Sequence, residues 1–241
     1  MNEEFERIKL ALENANHVAD VKNNPVVDSV LLTPVKAIPV IGEMVNSTTN
    51  KLIEDFQRKK EQELVDYILK DESSITTDMV NDVEFIINYN RTLEVVRRLA
   101  TNDKVKFFGN LIRNGYLSGQ HIENSEFEEY LDVLNNMSYR EIQALVAYFK
   151  YCNGKHAKEY EKYNIWYSFS HEYSSKMKIK KSEIYRIFSS IARTGFVQAF
   201  YVTASNHIEK SELTETPAKQ DGFFINASFY RFYHLVLHMD E

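Results

Sequence analysis

The stretch from His171 to Val202, HEYSSKMKIKKSEIYRIFSSIARTGFVQAFYV, constrains this chain more than any other. Ile184, Ile187, Phe188 and Ile191 recur at spacings of three and four, which places them on one face of a helix. Ser182 stands where a hydroxyl could accept a free first-turn N–H, so the helix is expected to be capped there. Gly195 follows Thr194, at the point where a helix end favours a residue that tolerates positive φ. Phe196, Val197, Phe200, Tyr201 and Val202 are aromatic or β-branched and read as a strand. A polar run, Thr203 to Asp221, leads through Gly222 to Phe223-Phe224-Ile225, the expected returning strand of a hairpin.

A short helix, a turn, a second amphipathic helix and a hairpin together give the order of a winged helix-turn-helix, with the polar run as its wing. Helical periods fill the rest. Asn2–Asn16 carries Phe5, Ile8 and Leu12. Asn50–Lys70 carries Leu52, Ile53, Phe56, Leu64 and Ile68. Thr77–Leu99 carries Val80, Val83, Ile86, Ile87, Leu93 and Val96. Thr101–Asn114 ends at Gly115, read as a C-cap. Phe127–Asn135 is a short helix, and Ser138 with Glu141 forms a capping box that opens the next. Ser228–Met239 is the last. Seven glycines and four prolines in 241 residues agree with a helical chain. The expected fold is therefore mainly α: an N-terminal helical bundle over residues 1–120, then a winged-helix-like α+β unit with a small β-hairpin over 121–241. The boundary is set by the polar, Gly119-containing run from Ser118 to Asn124.

The segment 25–45, PVVDSVLLTPVKAIPVIGEMV, is the most apolar window. It also holds Pro25, Pro34 and Pro39, with Asp28, Lys36 and Glu43. A spanning helix needs about 20 mainly apolar residues, and this mixture makes a poor one. Val30, Leu31, Leu32, Val40 and Ile41 are expected to pack on the bundle; contact with a membrane or a partner protein is the alternative. Met1–Asn16 is charged rather than apolar and gives no secretory signal, so the expected location is cytoplasmic.

Chemical signatures are sparse. Cys152 is the lone cysteine, which excludes an intrachain disulfide and a cysteine-built zinc site. His156 lies four residues on, a spacing compatible with a thiolate pair but without a third group. His234 and His238 share a helical spacing. On a wheel of about 100° per residue both flank the apolar stripe, with no third ligand in view. Glu123, Glu126, Glu128 and Glu129 fit a solvated helix start. No phosphate-binding glycine loop and no nucleophile elbow occurs. No catalytic residue, metal or cofactor is expected, and enzyme is the weaker class.

Three further stretches carry a resemblance: FFGNLIRNGYL from Phe107, EFEEYLDVLNNMSYREIQALVAYF from Glu126, and FFINASFYRFYHLVLH from Phe223. With Leu131, Leu134, Ser138 and Glu141 in place, the chain resembles the alpha-type abortive-infection family of bacterial phage-defence proteins over about its last two-thirds. It departs from that pattern at Asn226-Ala227-Ser228, where a Thr-Pro-x-Gly turn is often found. The resemblance implies a defence-type interaction protein acting through protein or membrane contact. It supplies no catalytic residues.

Charge gives the other lead. Lys176, Lys178, Lys180, Lys181, Arg186 and Arg193 against Glu172 and Glu183 make the opening stretch +4 in a chain of −6. Positive charge beside a recognition helix is what phosphate contact needs. The outward positions Glu183, Tyr185, Arg186, Ser189 and Ser190 lack Asn and Gln, the side chains favoured for reading adenine. A winged-helix DNA-binding regulator is thus the alternative function.

Overall fold

A computed structural model describes residues 42–70, 82–117, 122–154, 162–201 and 220–238. The expected helix 2–16, the burial expected for Val30 to Ile41, His156 and nearly all of the polar run before Gly222 lie outside these residues. Among them are eight α-helices and a two-stranded antiparallel sheet, so the chain is mainly α with a small hairpin. It divides into two compact units, 1–134 and 135–241.

The first unit contains α1 (Gly42–Ile68), α2 (Val83–Arg98), α3 (Val105–Ile112) and most of α4 (Asn124–Asn136). Its core collects Leu64, Val65 and Ile68 from α1, Phe85, Tyr89, Leu93 and Val96 from α2, Phe108 and Leu111 from α3, and Phe127 from α4. Asp82 caps α2, its carboxylate accepting the Glu84 N–H at 2.8 Å. The buried stripe of α2 therefore runs through its aromatic positions. Val83, Ile86 and Ile87 stand exposed although they share the apolar period, and Leu52 and Phe56 are exposed on α1. The larger rings of Phe85 and Tyr89 bury more area per residue and decide which face turns inward.

Polar groups in this core are matched. Lys60 is buried, and its ammonium donates to the carbonyls of Arg97 (2.6 Å) and Leu99 (2.8 Å), which α2 leaves open at its end. Burial pulls the Lys60 pKa down to about 8, against the attraction of Glu61. Arg97 in turn pairs with Glu61. Asn88, also buried, donates to the Tyr116 hydroxyl and to Asn124 Oδ1 at 2.8 Å. These bonds, and Lys104 donating to Leu134 O at 2.7 Å, tie α4 to the first unit. For that reason the division falls at Leu134/Asn135 rather than at 120/121.

After Ile112 the chain does not stop at Gly115. It continues as a π-helical turn, Arg113–Leu117, and Gly115 packs so close to Ile122 that an added Cβ would lie 2.8 Å from its Cγ2. The glycine expected as a cap is there for close approach instead.

The second unit holds α5 (Tyr139–Gly154), α6 (Lys162–Met177), α7 (Lys181–Ile191), a 3-10 turn (Ala192–Thr194), β1 (Val197–Tyr201), β2 (Gln220–Ile225), α8 (Ala227–Phe232) and a π-helical turn (Tyr233–Leu237). The capping box forms: Glu141 accepts from the Ser138 N–H (2.7 Å) and hydroxyl (2.8 Å), and Ser138 Oγ accepts the Glu141 N–H at 3.2 Å. Gly195 has φ +77° and nothing near an added Cβ, so conformation alone selects glycine there. β1 and β2 pair from Val197↔Ile225 to Phe200↔Gly222, with an irregularity before Tyr201.

Trp166 is the centre of this unit and 1% exposed. Ring centroids of Phe188 (4.8 Å), Phe223 (5.1 Å), Tyr148 (5.4 Å) and Tyr185 (5.4 Å) surround it, all edge-on. The hairpin reaches this cluster because Gly222 has no side chain to strike the indole. Tyr148 donates to Phe223 O at 2.6 Å, fixing β2 over α5. On α7, Ile184, Ile187, Phe188 and Ile191 are all buried.

Candidate nucleic-acid interface

The turn between α6 and α7 is built by the end of α6. Lys178 adopts a left-handed conformation, φ +54°, in the position usually given to glycine. The Ile179 N–H then donates back to Ser174 O (3.1 Å), and Ser174 Oγ donates to Ile179 O (2.6 Å). Reversed by this pair of bonds, the backbone is extended at Lys180, and α7 starts at Lys181. Ser182 is consequently inside the first turn, and the cap position falls to Lys180, which makes no side-chain cap bond.

Four lysines occupy this turn. Lys176, Lys178 and Lys180 are exposed; Lys181 is half-buried, its ammonium 4.7 Å from the ring centre of Tyr167, itself 55% exposed. None of the four has a carboxylate partner among the described residues. Glu172, the acid next along α6, accepts from the Tyr151 hydroxyl at 3.1 Å.

The two arginines belong to a different environment. Arg186, 75% exposed, lies 3.8 Å from Glu183, and Arg140 of α5 meets the same carboxylate at 2.6 Å. Arg193 donates to Ser190 Oγ at 2.7 Å and acts electrostatically on Glu141. Burial pushes the Glu141 pKa up, but hydrogen bonds from Ser190 and Ser138 and the Arg193 charge outweigh it, leaving the carboxyl below its usual range. The six basic residues picked out in the sequence thus divide. The lysines form a turn without carboxylate partners among the described residues, and the arginines sit beside acids. Arg140 carries no local sequence signal, since it lies in another helix and meets α7 only through the fold.

The remaining candidates do not assemble with this turn. The Cys152 thiol is pushed up to about 11 by burial, despite a hydrogen bond to Tyr148, which is the opposite of thiolate activation. His234 and His238 are exposed, with ring centres 5.8 Å apart. Their wheel positions change because the last turn is π-helical, with His238 N–H donating to Tyr233 O at 2.7 Å. Glu126 accepts from Tyr130 and Glu128 pairs with Arg91. Among the described residues no three His, Cys, Asp or Glu side chains converge as a metal site, and no helix is long and apolar enough to cross a membrane. Compared with protein-family models, curated proteins and solved structures, the chain has no match.

Proposed function

We propose that the protein is a non-enzymatic DNA-binding protein of winged-helix-like design that holds duplex phosphates with its lysine turn. One observation carries this: four lysines within residues 176–181, three of them exposed and none paired with a carboxylate among the described residues, in a chain of net charge −6. In helix-turn-helix docking the second helix enters the major groove and neighbouring elements cross the backbone. That placement would set the turn against phosphate. Ser182, Arg186 and Ser189 are exposed on α7 with Glu183 between them, a poor set for reading bases, so backbone contact dominates and sequence preference is weak. Fluorescence anisotropy with a mixed-sequence duplex tests it. Binding is expected at low salt, with log K falling against log salt at a slope of roughly −3 to −4 for four phosphate contacts. No binding even at low salt would overturn the proposal.

A second reading is favoured by Val83, Ile86 and Ile87, exposed at spacings of three and four on α2. It is the defence-type interaction protein that the family resemblance implies, with this stripe as its contact to a protein partner. Expression in a phage-challenged bacterial host should lower plaque counts, and changing the three residues to Ser should restore them. Unchanged plaque counts with the unaltered protein would remove this reading.

A further inference from the structure

We infer that Glu183 is an attenuator of the binding face, and that Arg140 is a phosphate-contact residue it holds in reserve. The inference rests on the DNA-binding reading above and adds a residue that sets its affinity. The carboxylate of Glu183 lies in the first turn of α7, between Arg140 at 2.6 Å and Arg186 at 3.8 Å. Arg186 is 75% exposed on its side chain and Arg140 44%, so both can reach solvent and therefore a phosphate. Each guanidinium already has a carboxylate partner on the protein. A phosphate must compete with that partner, and it also meets the carboxylate's own repulsion. The neighbouring lysines have no such competitor among the described residues. The face is therefore graded: a lysine turn open to phosphate, then an arginine pair that one acid restrains.

The pairs themselves contribute little to folding. Exposed ion pairs add little to stability, and the cap of α7 has no side-chain bond that removing Glu183 would break. Replacing Glu183 with glutamine keeps shape and polarity while removing one negative charge. Two cations then become free for phosphate, so the salt slope should steepen by about 1 to 2, and affinity at about 0.1 M salt should rise on the order of tenfold. Adding Arg140→Ala to Glu183→Gln should cancel roughly half of the gain, because only Arg186 then remains to be released.

The test is anisotropy with the same mixed-sequence duplex across a KCl series, on the full chain and on the variants E183Q, E183Q with R140A, and E172Q. E172Q changes net charge equally but at an acid bonded to Tyr151 rather than to an arginine. Tighter binding and a steeper slope for E183Q, with E172Q within about twofold of the unaltered protein, supports the attenuator. If the unaltered protein binds and E183Q matches or weakens it, or E172Q gains as much, the attenuator is wrong while the DNA-binding reading survives. If the unaltered protein does not bind at low salt, both fall together. Circular dichroism melts within a few degrees of one another establish that each variant is folded.

Discussion

Replacing Lys176, Lys178 and Lys180 together with glutamate should abolish duplex binding, a loss of more than a hundredfold at low salt. Each substitution removes a phosphate contact and sets a like charge in its place, so the loss exceeds that of three missing counterion-release terms. The salt dependence should flatten as well, since what remains are Lys181, engaged with Tyr167, and two arginines beside acids. Stability should change little at Lys176 and Lys180, which are exposed and make no side-chain hydrogen bond or ion pair among the described residues. Anisotropy across a salt series, with a thermal melt of the same samples, separates the two effects. A variant that stays folded and binds within threefold of the unaltered protein would show that the turn is not the contact surface.

Changing Trp166 to Ala should be the most damaging single substitution in the second unit, costing about 3–5 kcal/mol. The indole is encircled by Tyr148, Tyr185, Phe188 and Phe223, so truncation opens a void bordered by rigid rings that cannot collapse into it. It also removes edge-on pairs, each contributing about 0.5–1.5 kcal/mol beyond area burial. A domain's total stability is about 5–15 kcal/mol, so the unit should lose most of its margin. Trp166→Phe should cost clearly less, partly because the buried indole N–H has no acceptor among the described residues to leave behind. Urea denaturation followed by circular dichroism measures both. A cost below about 1 kcal/mol for the alanine variant would mean that this cluster is not the centre of the fold.

Local features of the fold were legible in the sequence wherever one short-range interaction decides them. The stripe Ile184, Ile187, Phe188, Ile191, the positive φ of Gly195 and the Ser138–Glu141 capping box each depend on residues within a turn or two. The failures are cases where tertiary contacts overrule such signals. Ser182 lost the cap because the left-handed Lys178 brings the chain into α7 two residues early. Gly115 lost its role as a stop because Ile122 packs against it. Val83, Ile86 and Ile87 share an apolar period with the core yet face outward, since Phe85 and Tyr89 claim the interior. In the candidate site, the lysine turn could be read directly as charge. The pairing of Glu183 with Arg140 could not, because nothing in the sequence of α5 announces which helix Arg140 will meet.

Lys178 places two demands on one codon. Its backbone occupies a region that costs an L-residue roughly 1–2 kcal/mol and that glycine enters freely. Its side chain is one of only three exposed lysines in the turn. A glycine there would relax the chain and discard the charge in the same step. Under the function proposed above the two roles oppose each other, so Lys178→Gly is expected to ease the turn and weaken its grip on an anionic partner together.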